Sequence, residues 1–176
     1  IQNNQPVPRG TIQTVFKYTP YDELRRLGLQ TRTEDLVRRE FPALTGLLVV
    51  DEVQPGGPAD GILQPGDVLT RINGKLSADF EPLEQTLDAG VGLKVELELE
   101  RGGKAINASI DIEDLHSITP DEYLEIGDGI VHTLSYQMAR HMNVPVAGVF
   151  VANPGYMFGA AGVPRGAVIS SINGQA

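Results

Sequence analysis

Pro65-Gly66-Asp67-Val68-Leu69-Thr70-Arg71-Ile72-Asn73-Gly74-Lys75 recurs downstream as Arg165-Gly166-Ala167-Val168-Ile169-Ser170-Ser171-Ile172-Asn173-Gly174-Gln175. Each copy reads as a glycine turn, a short apolar strand and an Asn-Gly pair, and Asn-Gly is a hairpin signal because both residues accept positive φ. Working outward, Gly46-Leu47-Leu48-Val49-Val50 before the first copy matches Gly148-Val149-Phe150-Val151-Ala152 before the second. Further upstream, Thr11-Ile12-Gln13-Thr14-Val15 aligns with Ile130-Val131-His132-Thr133-Leu134, and Tyr21-Asp22-Glu23-Leu24-Arg25 with Tyr136-Gln137-Met138-Ala139-Arg140. The chain is a duplication. Its second copy reaches Ala176 without a counterpart of Ser77 to Ile112.

A chain of 176 residues with a repeat of this length suits two small modules. With 41% apolar residues, 6% aromatic and no Trp, their cores are aliphatic. The net charge of -9 argues against nucleic acid as a partner, since phosphate binding depends on Lys and Arg releasing counterions. No run approaches the ~20 apolar residues of a spanning helix, so a membrane is not an expected partner either. The absence of Cys excludes disulfides and thiolate chemistry.

Leu93 to Glu100 alternates strictly, placing four aliphatics on one face and Lys94, Glu96, Glu98 and Glu100 on the other, and Ile106, Ala108, Ile110 and Ile112 alternate in a returning strand. Leu47 to Val53 reads as a buried strand and Thr11 to Phe16 as a strand ended by Thr19-Pro20, with Pro20 the first residue of a helix stopped by Gly28. A second helix is expected over Glu34 to Phe41, as an insertion or variable embellishment. Gln64-Pro65-Gly66-Asp67 fits a type II turn. Asp79 is expected to cap a helix carrying Phe80, Leu83 and Leu87.

No nucleophile elbow, phosphate loop or metal-binding helix motif occurs, so no catalytic residue, metal ligand or cofactor is expected. His116, His132 and His141 are scattered, and Asp111, Glu113 and Asp114 read as a solvated strand end. Pro55-Gly56-Gly57-Pro58 lacks the Lys and hydroxyl of a phosphate cradle. Arg9-Gly10 ahead of a strand is a place where backbone N–H groups can converge on an anion, or a simple turn.

The order Arg9-Gly10, strand, helix, apolar strand, Gly66-Asp67 turn, Asn73-Gly74 turn, short helix and alternating hairpin resembles the PDZ domains of HtrA-type serine proteases. Asp22-Glu23-Leu24-Arg25-Arg26-Leu27-Gly28-Leu29 and Asp114-Leu115-His116-Ser117-Ile118-Thr119-Pro120-Asp121 resemble the fungal nuclear, pro-apoptotic branch of that family. The resemblance implies a mainly β fold with short helices: two PDZ-like, partly open barrels or sandwiches in tandem, the second incomplete. It implies a linker from a protease domain over residues 1–8, a first PDZ domain over 9–113, a linker over 114–128 and a truncated second PDZ domain over 129–176. By the same resemblance the chain is a fragment of a longer serine endopeptidase without catalytic residues of its own, resident in the nucleus, with the cytoplasm as a secondary location.

PDZ domains bind extended peptides as an added strand, and C-terminal carboxylates in an adjoining loop. Carried over, the peptide-binding residues are Gly10, Thr11, Ile12, Gln13, Thr14, Val15 and Phe16, with Leu83, Thr86 and Leu87 as the helix wall. Ile130, Val131, His132 and Thr133 form the loop of the second domain. The family's loop glycine is replaced by Gln13, and by His132 in the second copy, which weakens carboxylate binding if the site needs a positive φ. Expected partners are extended or C-terminal peptides of protein substrates, the chain's own protease domain and a neighbouring PDZ domain or chain. The alternative function is a structural interdomain or oligomerisation module with vestigial grooves. Leu83→Glu is expected to abolish peptide binding while sparing the fold, and Gly129 to Ala176 is expected to be unfolded in isolation.

Overall fold

The computed structural model describes residues 7–171 and 174. Most of the entering linker expected over 1–8, and the second Asn-Gly turn at Asn173, lie outside the described residues. The chain divides into two compact units, Ile1–Leu115 and His116–Ala176.

The first unit holds β1 (Gly10–Thr11), β2 (Thr14–Pro20), α1 (Tyr21–Leu27), α2 (Thr31–Glu40), β3 (Gly46–Val53) and β4 (Val68–Ile72). After these come β5 (Lys75–Leu76), α3 (Phe80–Ala89), β6 (Lys94–Arg101), β7 (Lys104–Asp111) and β8 (Glu113–Asp114). The main sheet is antiparallel in the order β2-β3-β4-β6-β7, with β5 hairpinned onto β4, and β1 pairs separately with β8. Among the described residues it does not close into a barrel.

β3 explains its own apolar run. Leu48 and Val50 join a core cluster with Ile12, Leu69, Leu83, Leu97 and Ile110, while Leu47 and Val49 join a second cluster with Tyr21, Leu24, Val37 and Val68. Successive side chains point to opposite faces, so a strand buried on both must be continuously apolar. The Gln64–Asp67 turn forms as expected, with Gly66 at φ 94 and Asp67 N–H donating to the Gln64 carbonyl at 3.1 Å. Asn73 and Gly74, at φ 48 and 76, make the type I′ turn of the β4–β5 hairpin.

Five local expectations are corrected. β2 runs from Thr14 to Pro20 instead of Thr11 to Phe16, because Gln13 at φ 52 breaks the chain between β1 and β2. Pro20 is extended, at φ -64 and ψ 154, and flanks α1 without entering it. Leu93 is 65% exposed, and β6 begins one residue later. Glu100, expected in solvent, is buried: it accepts from Gln30 N–H at 2.7 Å and the Thr33 hydroxyl at 2.6 Å. A β-strand carboxylate thereby caps the N-terminus of α2, whose own N-cap Gln30 supplies no side-chain bond. That docking also starts α2 at Thr31, ahead of the expected Glu34.

The second unit holds β9 (Leu124–Ile126), β10 (Gly129–Thr133), α4 (Tyr136–Met142), β11 (Val149–Asn153), α5 (Gly155–Ala160) and β12 (Val168–Ile169), with sheet order β12-β11-β10-β9. The stretch read as linker over 114–128 thus contains a 3₁₀ turn, Leu115–Ile118, and the strand β9.

The two copies share a register that the sequence alignment misplaces. In the first unit the β2–β3 ladder shifts between Val15 and Phe16, with Phe16 opposite Val50 and Val15 opposite Glu52. In the second, β10–β11 shifts between Ile130 and Val131, with Val131 opposite Val151 and Ile130 opposite Asn153. The bulges superpose Phe16 on Val131 and Gln13 on Asp128, and both of the latter are left-handed, at φ 52 and 59. His132 is therefore the counterpart of Lys17, opposite Phe150 as Lys17 is opposite Val49. Likewise Val50 corresponds to Val151 rather than to Ala152, since Gly66 and Gly166 each donate to these carbonyls at 2.8 Å.

Candidate peptide-binding edge

β2 lies at the margin of its sheet: β3 covers one side, and no strand pairs with the other among the described residues. Its N-terminal half, Thr14, Val15 and Phe16, is partly buried, and Phe16 packs on the cluster that holds Leu83 and Leu87 of α3. An edge strand offers a row of unpaired N–H and C=O groups to another chain. Lys17, exposed on this strand, pairs with Asp51 at 2.8 Å, and the hydrogen bond it donates to the Asp51 carboxylate raises its pKa above the usual lysine value. Charge on an edge strand is a common guard against indiscriminate pairing.

The loop ahead of β2 is built inward. Gly10 sits against the last turn of α3 so tightly that a Cβ there would lie 1.9 Å from the Leu87 carbonyl oxygen. Its N–H donates to Asp88 Oδ1 at 2.9 Å, and Arg9 pairs with the same carboxylate at 3.4 Å. Thr11 in β1 faces Glu113 in β8, and its hydroxyl accepts from Gln13 N–H at 2.9 Å. Ile12 is 1% exposed in the core. Gln13 is buried too, and its side chain donates to Glu113 Oε2 at 2.7 Å. The positive φ that disfavours a side chain is present, and Gln13 occupies it through these contacts.

Two of the loop amides that could converge on a carboxylate are thus satisfied within the protein, and Asp88 and Glu113 add negative charge beside them. Asp88 escaped the sequence reading. Its signal was there: an acidic residue closing α3, whose last turn carries no basic residue, opposes the helix dipole and so points to a local partner.

On α3, Leu83 and Leu87 are 3% and 9% exposed and form the floor of the core beside β2, while Thr86 is half-buried with its hydroxyl on the Pro82 carbonyl. Leu83 is a core residue, so the expectation that Leu83→Glu spares the fold does not hold. Ile130, Val131, His132 and Thr133 lie within β10 rather than in a loop, and the loop position belongs to Gly127 and Asp128. The four-residue slip arose because similar β-branched and Thr positions recur along the strand, whereas only the bulge and the left-handed residue fix the register. Among the described residues no helix is long and apolar enough to cross a membrane.

An open, antiparallel sheet with an exposed edge strand beside a short helix is the arrangement of a peptide-adding module. A PDZ-domain family model matches residues 49–101 and a PDZ-like domain model matches 117–176. The chain carries two PDZ domains in tandem. It is 52% identical over 94% of its length to Protease Do-like 7 of Arabidopsis thaliana, covering 15% of that protein. It is 41% identical over 98% of its length to the pro-apoptotic serine protease nma111 of Aspergillus clavatus, covering 17% of it. The chain therefore spans less than a fifth of the curated relatives it matches. Among solved structures, the HtrA-type protease AlgW with decapeptide is 24% identical, covering 61% of this chain and 30% of that one, with a TM-score of 0.47.

Proposed function

We propose that the first unit recognises extended segments internal to other proteins by adding them as a strand along Thr14 to Lys17 of β2, beside α3. The observation that carries this is an open β2 edge next to a loop whose Gly10 and Gln13 amides are held by Asp88 and Thr11. The main chain supplies the affinity, and the filled, acidic loop removes the advantage a free C-terminal carboxylate has in other strand-adding domains. Short segments of this kind reach roughly micromolar affinity, about -8 kcal/mol, after the cost of ordering. The relatives' names support a serine endopeptidase as the setting, in which such a pair selects substrates and regulates cleavage. The fungal name supports a part in apoptosis, and the family resemblance a nuclear location, which imaging of a tagged protein reads directly.

The experiment is an array of nonapeptides, each displayed with a free carboxyl end and as its carboxamide. Equal binding within about threefold, with amide shifts at Val15 to Lys17 in solution, is the expected result. A preference for free carboxyl ends beyond tenfold would refute internal recognition, and shifts confined elsewhere would refute the β2 edge.

A further inference from the structure

In the second unit the edge that a peptide would join is already taken. β9 runs antiparallel to β10, with Ile126 opposite Gly129, Glu125 opposite Ile130 and Leu124 opposite Val131. In the shared register, Gly129, Ile130 and Val131 are the counterparts of Thr14, Val15 and Phe16, the stretch that is open in the first unit.

Two residues account for the difference. Gly127 and Asp128, at φ 54 and 59, are consecutive left-handed residues and make a two-residue type I′ turn that folds β9 straight back on β10. Their counterparts are Ile12 and Gln13. A β-branched residue is a poor occupant of the first turn position, and Ile12 instead buries its side chain in the core. The strand preceding it is led away to β8 and α3. In the second unit α5 fastens the turn, with Tyr156 N–H donating to the Gly127 carbonyl at 3.1 Å. Leu124 and Ile126 are 59% and 41% exposed, so backbone pairing rather than side-chain burial holds β9 in place.

We propose that Leu124–Ile126 is an intramolecular strand ligand that closes the second unit to extended peptides, leaving β2 as the strand-adding edge until the hairpin is opened. A two-residue connection gives β9 an effective concentration of at least millimolar order, which a free peptide of equal intrinsic affinity must exceed. The term ligand rests on the strand-addition reading. Occupancy of the edge does not, and amide exchange tests it separately.

The pairs flanking a two-residue turn exchange both hydrogen bonds, and so do the pairs two residues on, which aims the Val131 N–H at β9. Amide exchange and chemical shifts are measured on the whole chain, on Leu124→Pro and on Asp128→Val. The first variant removes a pairing donor from an exposed residue; the second places a β-branched side chain at a left-handed, exposed turn position. The probe is the synthetic peptide Glu-Tyr-Leu-Glu-Ile-carboxamide at about 1 mM. In the unaltered chain Val131 is expected to be protected and unmoved by the peptide. In the variants its exchange rises at least tenfold, the β10 amides facing β11 stay protected, and the peptide shifts Val131. Fast exchange of Val131 in the unaltered chain overturns the proposal. So does a peptide that perturbs all three proteins alike, or none. If Leu124→Pro also loses the β11-facing protection, Asp128→Val decides.

Discussion

Replacing Asp67 by Ala removes the carboxylate that ties the Gln64–Asp67 turn to the far end of β6. Asp67 is fully buried. It accepts from Arg101 Nε at 2.6 Å and Nη2 at 2.7 Å, a bidentate pair, and from Gln64 N–H at 2.8 Å. A hydrogen bond to a charged group contributes about 1.5–3 kcal/mol net, and leaving a part-buried amide unpaired costs about 1–3 kcal/mol. Arg101 is 35% exposed and keeps the Ile62 carbonyl at 2.9 Å, so it rehydrates rather than standing as an orphaned buried charge, which holds the loss below the upper end of the range for broken buried pairs. The sum is about 3 kcal/mol, or roughly 10–20 °C in the midpoint of a domain of this size. The turn itself survives. The second unit closes the same turn on Ala167, whose N–H reaches the Pro164 carbonyl at 3.3 Å. Urea unfolding followed by circular dichroism, with the first unit's transition assigned by amide exchange, measures the loss. A change under about 1 kcal/mol would show that the pair merely replaces hydration it could have had in water, and would refute the reasoning.

Glu34 lies between Arg25 and Arg38, and the Arg25 hydrogen bond, followed by that of Arg38, holds its carboxyl below the ordinary 4.5 against the opposing effect of burial. A lowered folded-state value stabilises above the unfolded value and is lost as pH falls through the folded one. Glu34→Gln should therefore cost about 1–2 kcal/mol at neutral pH, kept modest by the exposure of both arginines, and the cost should vanish as the pH falls through the lowered folded-state value; a difference that persists undiminished in acid would assign the effect to packing. Leu83→Glu puts a carboxylate into the core that joins α3 to β2, so it should lower stability by at least about 4 kcal/mol, and a cooperative transition at the unaltered midpoint would place Leu83 outside the core.

Much of the first unit could be read from its residues because its strands carry unambiguous patterns. Continuous apolarity in β3, alternation in β6 and β7, and the Gly66 and Asn73-Gly74 turns each have one physical solution. Glu100 could not be read, since alternation places it in solvent and only the arrival of α2 makes its burial favourable. Of the peptide edge, the strand and the helix were visible, but the state of the loop was not. Whether amides are open to a ligand depends on Asp88 and Glu113, far away in sequence. The second unit was misread where identity of residue types outweighed backbone conformation. Gly127-Asp128 is a plain turn signal, yet it fell in a stretch whose polar composition suggested a linker.

The β9–β10 turn also sets an order of events. A two-residue hairpin forms on a timescale of about 1–10 μs, independently of anything distant. The pairing of β10 with β11 must instead wait for α4 and the chain around it to close a longer loop. During synthesis, which delivers the N-terminal side first, β10 therefore has a partner before the rest of its sheet exists. A nascent strand sheltered in this way is denied to neighbouring chains while it is most prone to aggregate.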